Sequence, residues 1–297
     1  MRQLLVISGK GGTGKTILTA CFAVLADRKV MVDCDVDAAD LHLLLHPVNR
    51  ERHEFKSSQV AYIDPARCSR CGLCIDLCRF KAIGSDFIVK PVFCEGCGLC
   101  SRVCPVEAVT MEDRVSGEWF TSDTKYGPFV HARLGIAESN SGKLVTLIRQ
   151  AAKEIAERDN LDYVIIDGPP GIGCPVIASL AGVDMALIVT EPTVAGIHDL
   201  SRVMDLAHHF QIPAGVVINK CDLNPVKSGE IERLCGSNGV AILGKIPFSA
   251  EVPRSLVKRV PFLEFSRGAV ADEVTAVWNE TAAILAGGTM RMKGDRN

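Results

Sequence analysis

The octapeptide GKGGTGKT, Gly9 to Thr16, stands between an apolar run, Leu4 to Ile7, and a helical stretch from Lys15 to about Asp27. It constrains the fold more than any other feature. A loop of the pattern GxxxxGK[ST] works only where a buried strand delivers its backbone to the start of a helix. The glycines let consecutive N–H groups curl around an anion, and the helix contributes the positive end of its dipole. A second apolar run, Val30 to Val32, completes a βαβ opening. The same rhythm returns after residue 140. The SNSG turn leads into a helix from Gly142 to Glu157, followed by strands at Tyr163 to Ile166, Met185 to Thr190 and Gly215 to Asn219. Strands that are apolar throughout belong to a parallel sheet covered on both faces, so the expected fold is α/β, doubly wound and mainly parallel. The last helix is expected at Ala269 to Leu285, and the polar tail GGTMRMKGDRN is expected to fray.

From about Asp64 to Met111 this pattern breaks: cysteines crowd in, long helices vanish, and prolines and glycines punctuate short apolar runs. A chain of 297 residues, 47% of them hydrophobic, can hold one large domain and a small module. The expected division is residues 1–60 and 114–297 for the large domain and 61–113 for an insertion, with GEWFTS and GPFVHARLG as strands that return the chain to the sheet. The insertion repeats itself, because CSRCGLCIDLCRFKAI from Cys68 and CEGCGLCSRVCPVEAV from Cys94 match at an offset of 26 residues.

A net charge of -2 gives no basic surplus to draw the molecule onto nucleic acid or acidic lipid. The N-terminal apolar run is too short for a signal peptide or membrane span, so a cytoplasmic protein with no membrane or nucleic-acid partner is expected. In a reducing compartment the 13 cysteines suggest metal ligands rather than disulfides. Cys68, Cys71, Cys74 and Cys78, then Cys94, Cys97, Cys100 and Cys104, each follow CxxCxxCxxxC. Structural zinc also uses CxxC pairs, but normally separates two pairs by a longer loop.

In the nucleotide loop, Gly9, Gly11, Gly12, Thr13 and Gly14 are the expected phosphate cradle, with Lys15 on the β and γ phosphates and Thr16 on Mg²⁺. Asp167 ends the apolar strand of VIIDGPPGIG, where a carboxylate can hold Mg²⁺ through water or cap the following helix. Asp33, Asp35, Asp37 and Asp40 crowd MVDCDVDAAD. By position Asp35 is the choice for orienting the attacking water and for magnesium, Asp40 comes next, and Asp37 is a solvated surface acid.

The early lysine of GKGGTGKT, together with VDCD and VIIDGPPGIG, resembles the MinD/ParA/Mrp/nitrogenase iron protein group of deviant Walker ATPases, over nearly the whole chain outside the insertion. The resemblance implies ATP as ligand and an ATP-sandwiched homodimer in which Lys10 reaches the phosphates bound by the other subunit, a catalytic role. NKCD, Asn219 to Asp222, resembles the NKxD element that selects guanine, yet the ATPase group also places an asparagine at this strand end. ATP is therefore expected, with Asn219 at the base. The cysteine runs resemble the bacterial ferredoxin arrangement for two [4Fe–4S] clusters. Carried over, Cys68, Cys71, Cys74 and Cys104 hold one cluster, and Cys94, Cys97, Cys100 and Cys78 the other. Pro105 follows Cys104 as that family has it, whereas Arg79 follows Cys78, and a cation there should raise the cluster potential.

Of the remaining cysteines, Cys21, Cys221 and Cys235 read as small hydrophobes, and Cys34 lies ambiguously between two acids. Cys174 follows Asp167 by seven residues, near where the nitrogenase iron protein has a cluster cysteine, but Arg133 to Lys143 supplies no second thiol. Cys174 is therefore expected at an interface or a substrate rather than as a permanent ligand. Three functions are in view. The first is nucleotide-gated electron transfer to or from a partner protein. The second is an Mrp-like role in assembling iron–sulfur or other metal centres for a client. The third is MinD/ParA-like positioning, ranked last because the tail after Leu285 lacks an amphipathic membrane helix.

Overall fold

β1 (Arg2–Ser8) is buried from Leu4 onward, as a strand flanked on both sides and covered on both faces must be. The computed structural model describes residues 1–135 and 141–288, so Ser139 and Asn140 of the SNSG turn and the tail from Thr289 lie outside the described residues. After β1 come α1 (Lys15–Leu25), β2 (Lys29–Asp33), α2 (His42–Leu45), β3 (Val48–Ile63), α3 (Leu73–Asp76), α4 (Leu99–Val103), β4 (Val109–Thr124), β5 (Gly127–Leu134) and α5 (Ser141–Arg158). The chain continues through β6 (Tyr163–Pro170), α6 (Cys174–Leu180), β7 (Met185–Thr190), α7 (Val194–His209), β8 (Ala214–Asn219), α8 (Pro225–Ser237) and β9 (Ala241–Ile246). It closes with α9 (Glu251–Val257), α10 (Phe262–Phe265) and α11 (Ala269–Leu285).

Strand order is β3-β4-β5-β2-β6-β1-β7-β8-β9. β1 pairs in parallel with β6 and β7, β2 with β5 and β6, and β8 with β7 and β9. Chain order reverses direction at β1, which opens a crevice beyond the carboxyl ends of the strands. That is where the phosphate loop, Asp33, Asp167 and Asn219 all fall. The core joins Leu4, Val6, Met31, Ile165, Leu187 and Val217 of the strands to Phe22 of α1 and Val277 and Trp278 of α11. Phe22 and Trp278 meet with ring centroids 5.1 Å apart. Full burial of side chains such as Leu187 and Phe22 contributes about 1.5–3 kcal/mol each. Among the described residues no helix is long and apolar enough to cross a membrane.

Among the described residues two compact units emerge: residues 1–52, 119–133 and 141–288, and residues 53–118 with 134–135. β3 and β4, 16 residues each, pass from one unit into the other. β3 escapes a sequence reading because VNRERHEFKSSQ is mostly polar and exposed, and its ladder is backbone chemistry that no apolar period advertises.

In the second unit the duplication in sequence is also a duplication in backbone. Gly72 and Gly98 take positive φ, 86° and 71°, immediately before α3 and α4. Lys81 (φ 51°) and Glu107 (φ 48°) repeat the same offset, and so do Arg70 (φ 55°) and Gly96 (φ 65°). Glycine is free to adopt that conformation, whereas Arg70 sustains it at a cost of about 1–2 kcal/mol. The small core here is Ala61, Ile63, Cys74, Ile83 and Val109, with Cys68, Cys78, Cys94, Cys100 and Cys104 packed against it.

Parallel register sets His131 of β5 beside Asp33 at the end of β2. Its ring stacks on Phe129 at 4.8 Å and Phe120 at 5.0 Å, and faces His42 at 6.2 Å. Burial first, then the charges of His42 and Arg133, hold its pKa down to about 4. The unfolded chain takes up this proton near pH 6.5 and the folded chain only near 4, so His131 stabilises the fold above 6.5 and loses that contribution as pH falls through 4. Asp35, whose carboxyl is pushed up to about 6 chiefly by burial, acts with the opposite sign. Urea unfolding of the wild type against His131→Phe isolates the histidine. The substitution is expected to remove about 2–3 kcal/mol of destabilisation between pH 7.5 and 4.

Candidate functional site

The phosphate loop is shaped by the packing around it. Gly14 has φ 93°, and a Cβ there would stand 2.3 Å from Asn219 Nδ2. At Gly9 a Cβ would stand 2.4 Å from the Cβ of Asp199. Asn219, at the end of β8, donates from Nδ2 to the Thr13 carbonyl at 2.7 Å and accepts from Lys220 N at 3.0 Å. The residue expected at the base thus also braces the loop. Gly11, Gly12, Thr13, Gly14, Lys15, Thr16, Asp35, Asp40 and Asn219 line one cavity of about 910 Å³. Its far wall is apolar, formed by Pro247, Phe248, Val252, Leu256, Phe262 and Val274.

Lys15 is buried, and its Nζ lies 2.9 Å from Asp167 Oδ1, 3.3 Å from Thr16 Oγ1 and 3.9 Å from Asp35 Oδ2. Burial opposes its charge, but the carboxylates of Asp167, Asp33 and Asp35 outweigh burial and hold the ammonium above its usual range. Asp33 is fully buried, and its carboxylate accepts from the backbone N–H of Asp35 and of Leu41, each at 3.1 Å. It anchors both ends of the Asp35–Leu41 segment. Burial, then the neighbouring Asp167, pushes the Asp33 carboxyl well above the ordinary carboxylate range. Asp37 and Asp40 are exposed.

Two buried polar atoms lack a partner here, Asp167 Oδ2 and Thr13 Oγ1. A buried acceptor without a donor is costly, and both atoms belong to residues at the phosphate site, so they suit a hydrated Mg²⁺ and a phosphate oxygen. Thr19 Oγ1, one helical turn beyond Lys15, donates to Asp167 Oδ1 at 3.0 Å. Its place at i+4 from Lys15 was the legible signal for it.

Lys10 bonds within its own chain: Nζ is 2.6 Å from Glu191 Oε1 and donates to Thr193 Oγ1 at 3.3 Å. Lys220 takes the other oxygen of Glu191 at 2.8 Å and donates to the Gly12 carbonyl at 3.1 Å. Glu191 and Lys220 carry no motif. The available signal was that Glu191 directly follows an apolar run, as Asp167 does, although β6 continues past Asp167 to Pro170.

In the second unit Cys78 of the first run joins Cys94, Cys97 and Cys100 of the second around a small cavity of about 50 Å³, with Arg79, Glu95 and Met111 also on its wall. Ala82 N donates to Cys78 Sγ at 3.3 Å, and Ala108 N donates to Cys104 Sγ at 3.2 Å. Cys68 and Cys71 act electrostatically on Cys74, as Cys94 and Cys97 do on Cys100. No three His, Cys, Asp or Glu side chains among the described residues converge as around a single metal ion. Cys21, Cys34 and Cys235 are buried, Cys221 is half-buried and Cys174 is exposed at the start of α6.

A mainly parallel sheet whose order reverses at β1, carrying a phosphate loop, a buried lysine and the carboxylates of Asp33 on β2 and Asp167 on β6 at that point, defines a P-loop nucleotide-binding protein of the doubly wound class. The chain belongs to the CobQ/CobB/MinD/ParA nucleotide binding domain family, whose model matches residues 4–262. It is 31% identical over 286 residues to the uncharacterized protein MJ0578 of Methanocaldococcus jannaschii, covering 95% of this chain and 97% of that one. An iron-sulfur cluster carrier protein of Pyrococcus abyssi is 27% identical over 169 residues, 52% of this chain and 55% of its own length. Among solved structures, the septum site-determining protein MinD of Pyrococcus horikoshii, complexed with Mg-ADP, superposes with a TM-score of 0.58 at 17% identity, over 96% of this chain and 97% of that one. At that identity the likeness is one of fold.

Proposed function

We propose that this chain is an ATP-hydrolysing iron–sulfur protein in which the nucleotide gates electron transfer, through two [4Fe–4S] clusters in the cysteine unit, to or from a partner protein. The observation that carries the reading is the cavity shared by Cys78, Cys94, Cys97 and Cys100, one thiol from the first run and three from the second. Thiols arranged around a space suit a cubane, which is ligated at its corners, better than a single ion. The N–H groups of Ala82 and Ala108 aimed at Cys78 and Cys104 favour the thiolate forms. Each cluster, when bound, supplies a one-electron couple. The domain bounds that go with this reading are a cysteine unit inserted into a nucleotide-binding unit.

At the nucleotide site Lys15 would exchange Asp167 for the β and γ phosphates, leaving Asp167, whose Oδ2 is unpartnered and whose Oδ1 is still held by Thr19, to the water shell of Mg²⁺, which Thr16 would also help to hold. Asp35 orients the attacking water, and Lys10 acts across an ATP-bound homodimer. Adenine is favoured because Asp222, the acid that would grip guanine in an NKxD element, instead accepts the Phe248 N–H at 2.6 Å. The chain from Asp35 runs through α2 into β3 and so leads covalently into the cysteine unit. Rearrangement of that segment on hydrolysis has a direct route to the clusters.

The likeness to an iron-sulfur cluster carrier over half the chain favours a second reading, a redox or loading role in cofactor assembly. Anaerobic purification with iron and sulfide counting, then EPR of the reduced protein with and without ATP, tests the first. About eight irons per chain and a signal that changes with ATP are expected. Zinc in place of iron overturns the cluster assignment. Clusters indifferent to ATP but transferred to an apo-client move the conclusion to assembly.

A further inference from the structure

Lys10 stands in the phosphate loop, yet it is not among the residues that line the cavity served by Lys15. Glu191 Oε1 lies 2.6 Å away and Thr193 Oγ1 3.3 Å away, so two of its three N–H donors are spent on residues around the β7 to α7 junction of its own chain. Glu191 is well placed to hold it. Its side chain is only 14% exposed, and its second oxygen is held at 2.8 Å by Lys220, itself tied to the Gly12 carbonyl at 3.1 Å. The carboxylate therefore sits in a fixed position between two cations. Burial works against its charge, but the two lysines outweigh burial and hold it below the usual range, so it remains ionised at neutral pH. Thr193 is fixed as well, since its hydroxyl caps α7 by accepting the Gly196 N–H at 2.9 Å.

An ammonium neutralised at this distance cannot also serve phosphates elsewhere. We infer that Glu191 is a latch in cis: it holds Lys10 against its own chain until a nucleotide-bound second copy offers phosphates that displace the carboxylate. Lys10 is thereby released only in the completed pair, and a lone nucleotide-bound chain stays slow. Glu191 is a positioning residue acting through Lys10. The inference rests on the reading that ATP pairs two copies through Lys10, and it adds the element that keeps the unpaired chain silent.

Glu191→Gln keeps the shape and removes the charge. With ATP and Mg²⁺, sedimentation equilibrium is expected to show the pair forming at about tenfold lower protein concentration, equivalent to ~1.4 kcal/mol. Hydrolysis at limiting protein should rise in step, with nucleotide affinity of the unpaired chain unchanged within about twofold. The gain must vanish in Lys10→Ala/Glu191→Gln, which should behave as Lys10→Ala alone. A structural brace would give no such dependence on Lys10. If Glu191→Gln pairs no better than wild type while Lys10→Ala abolishes pairing, the latch is wrong and the paired reading stands. If neither wild type nor Glu191→Gln pairs with ATP, both are wrong. In the unmutated chain the ¹⁵N resonance of the Lys10 ammonium should move when a non-hydrolysable ATP analogue forms the pair, and an unmoved resonance in a formed pair also rejects the latch.

Discussion

If the proposed clusters are present, Cys78→Ser/Cys97→Ser is expected to retain about four irons per chain, as many as either single substitution, and Cys78→Ser/Cys71→Ser to retain none. This pattern follows from the crossed ligation that the shared cavity of Cys78, Cys94, Cys97 and Cys100 supports. If each run instead held its own cluster, the two results would exchange: Cys78 with Cys97 would strip both clusters, and Cys78 with Cys71 only one. The measurement is iron and acid-labile sulfide per folded chain, with the spin count of the reduced protein as a check. Serine is the conservative probe because it keeps a side chain of nearly the same size. Cys78→Ser also turns the Sγ that accepts the Ala82 N–H into an oxygen, so that local turn survives the substitution. The surviving cluster should then report its own potential. That allows the effect of Arg79, on the wall beside Cys78, to be separated from that of Pro105, which follows Cys104.

Lys15→Ala loses nucleotide binding and at the same time destabilises the nucleotide-binding unit by about 3–5 kcal/mol, because it leaves buried carboxylates without their cation. Asp167 at 2.9 Å and Asp35 at 3.9 Å are the two acids it contacts, and Asp33 acts on it electrostatically. Lys10→Ala behaves differently. Hydrolysis and the proposed ATP-induced pairing are expected to disappear, while nucleotide binding by the unpaired chain and the unfolding midpoint are expected to stay close to wild type. The contrast follows from burial: Lys15 is almost wholly enclosed, whereas Lys10 and Glu191 form a rim contact whose loss costs no more than about 1 kcal/mol. Calorimetric nucleotide titration and thermal unfolding of the two variants side by side provide the check. A Lys15→Ala chain as stable as wild type would show that Asp33 and Asp35 take up protons once the lysine is gone, which their upward-shifted carboxyls would permit.

Much of the nucleotide-binding unit could be read in advance, because its signals are local. A buried parallel strand must be apolar throughout, so β7 stood out at Met185 to Thr190 with its observed bounds, and α11 at Ala269 to Leu285 likewise. The long, largely polar strand β3 was invisible for the converse reason. Asp33 was seen as one acid among four, and only its two backbone contacts reveal it as the anchor of the segment that carries Asp35. Glu191 was missed altogether, since a strand-end acid without a motif acquires meaning only when Lys10 and Lys220 are found on it.

By itself the sequence determined the phosphate loop, the parallel α/β architecture and the duplicated cysteine spacing, each a pattern of near neighbours along the chain. Tertiary structure alone decided which groups from distant segments meet: Lys15 on Asp167, Asn219 under Thr13, Lys10 on Glu191, and Cys78 beside Cys94, Cys97 and Cys100. The physical reason is range. Propensity, capping and loop geometry act over a few residues, whereas charge pairing and shared cavities depend on where the sheet order returns the chain.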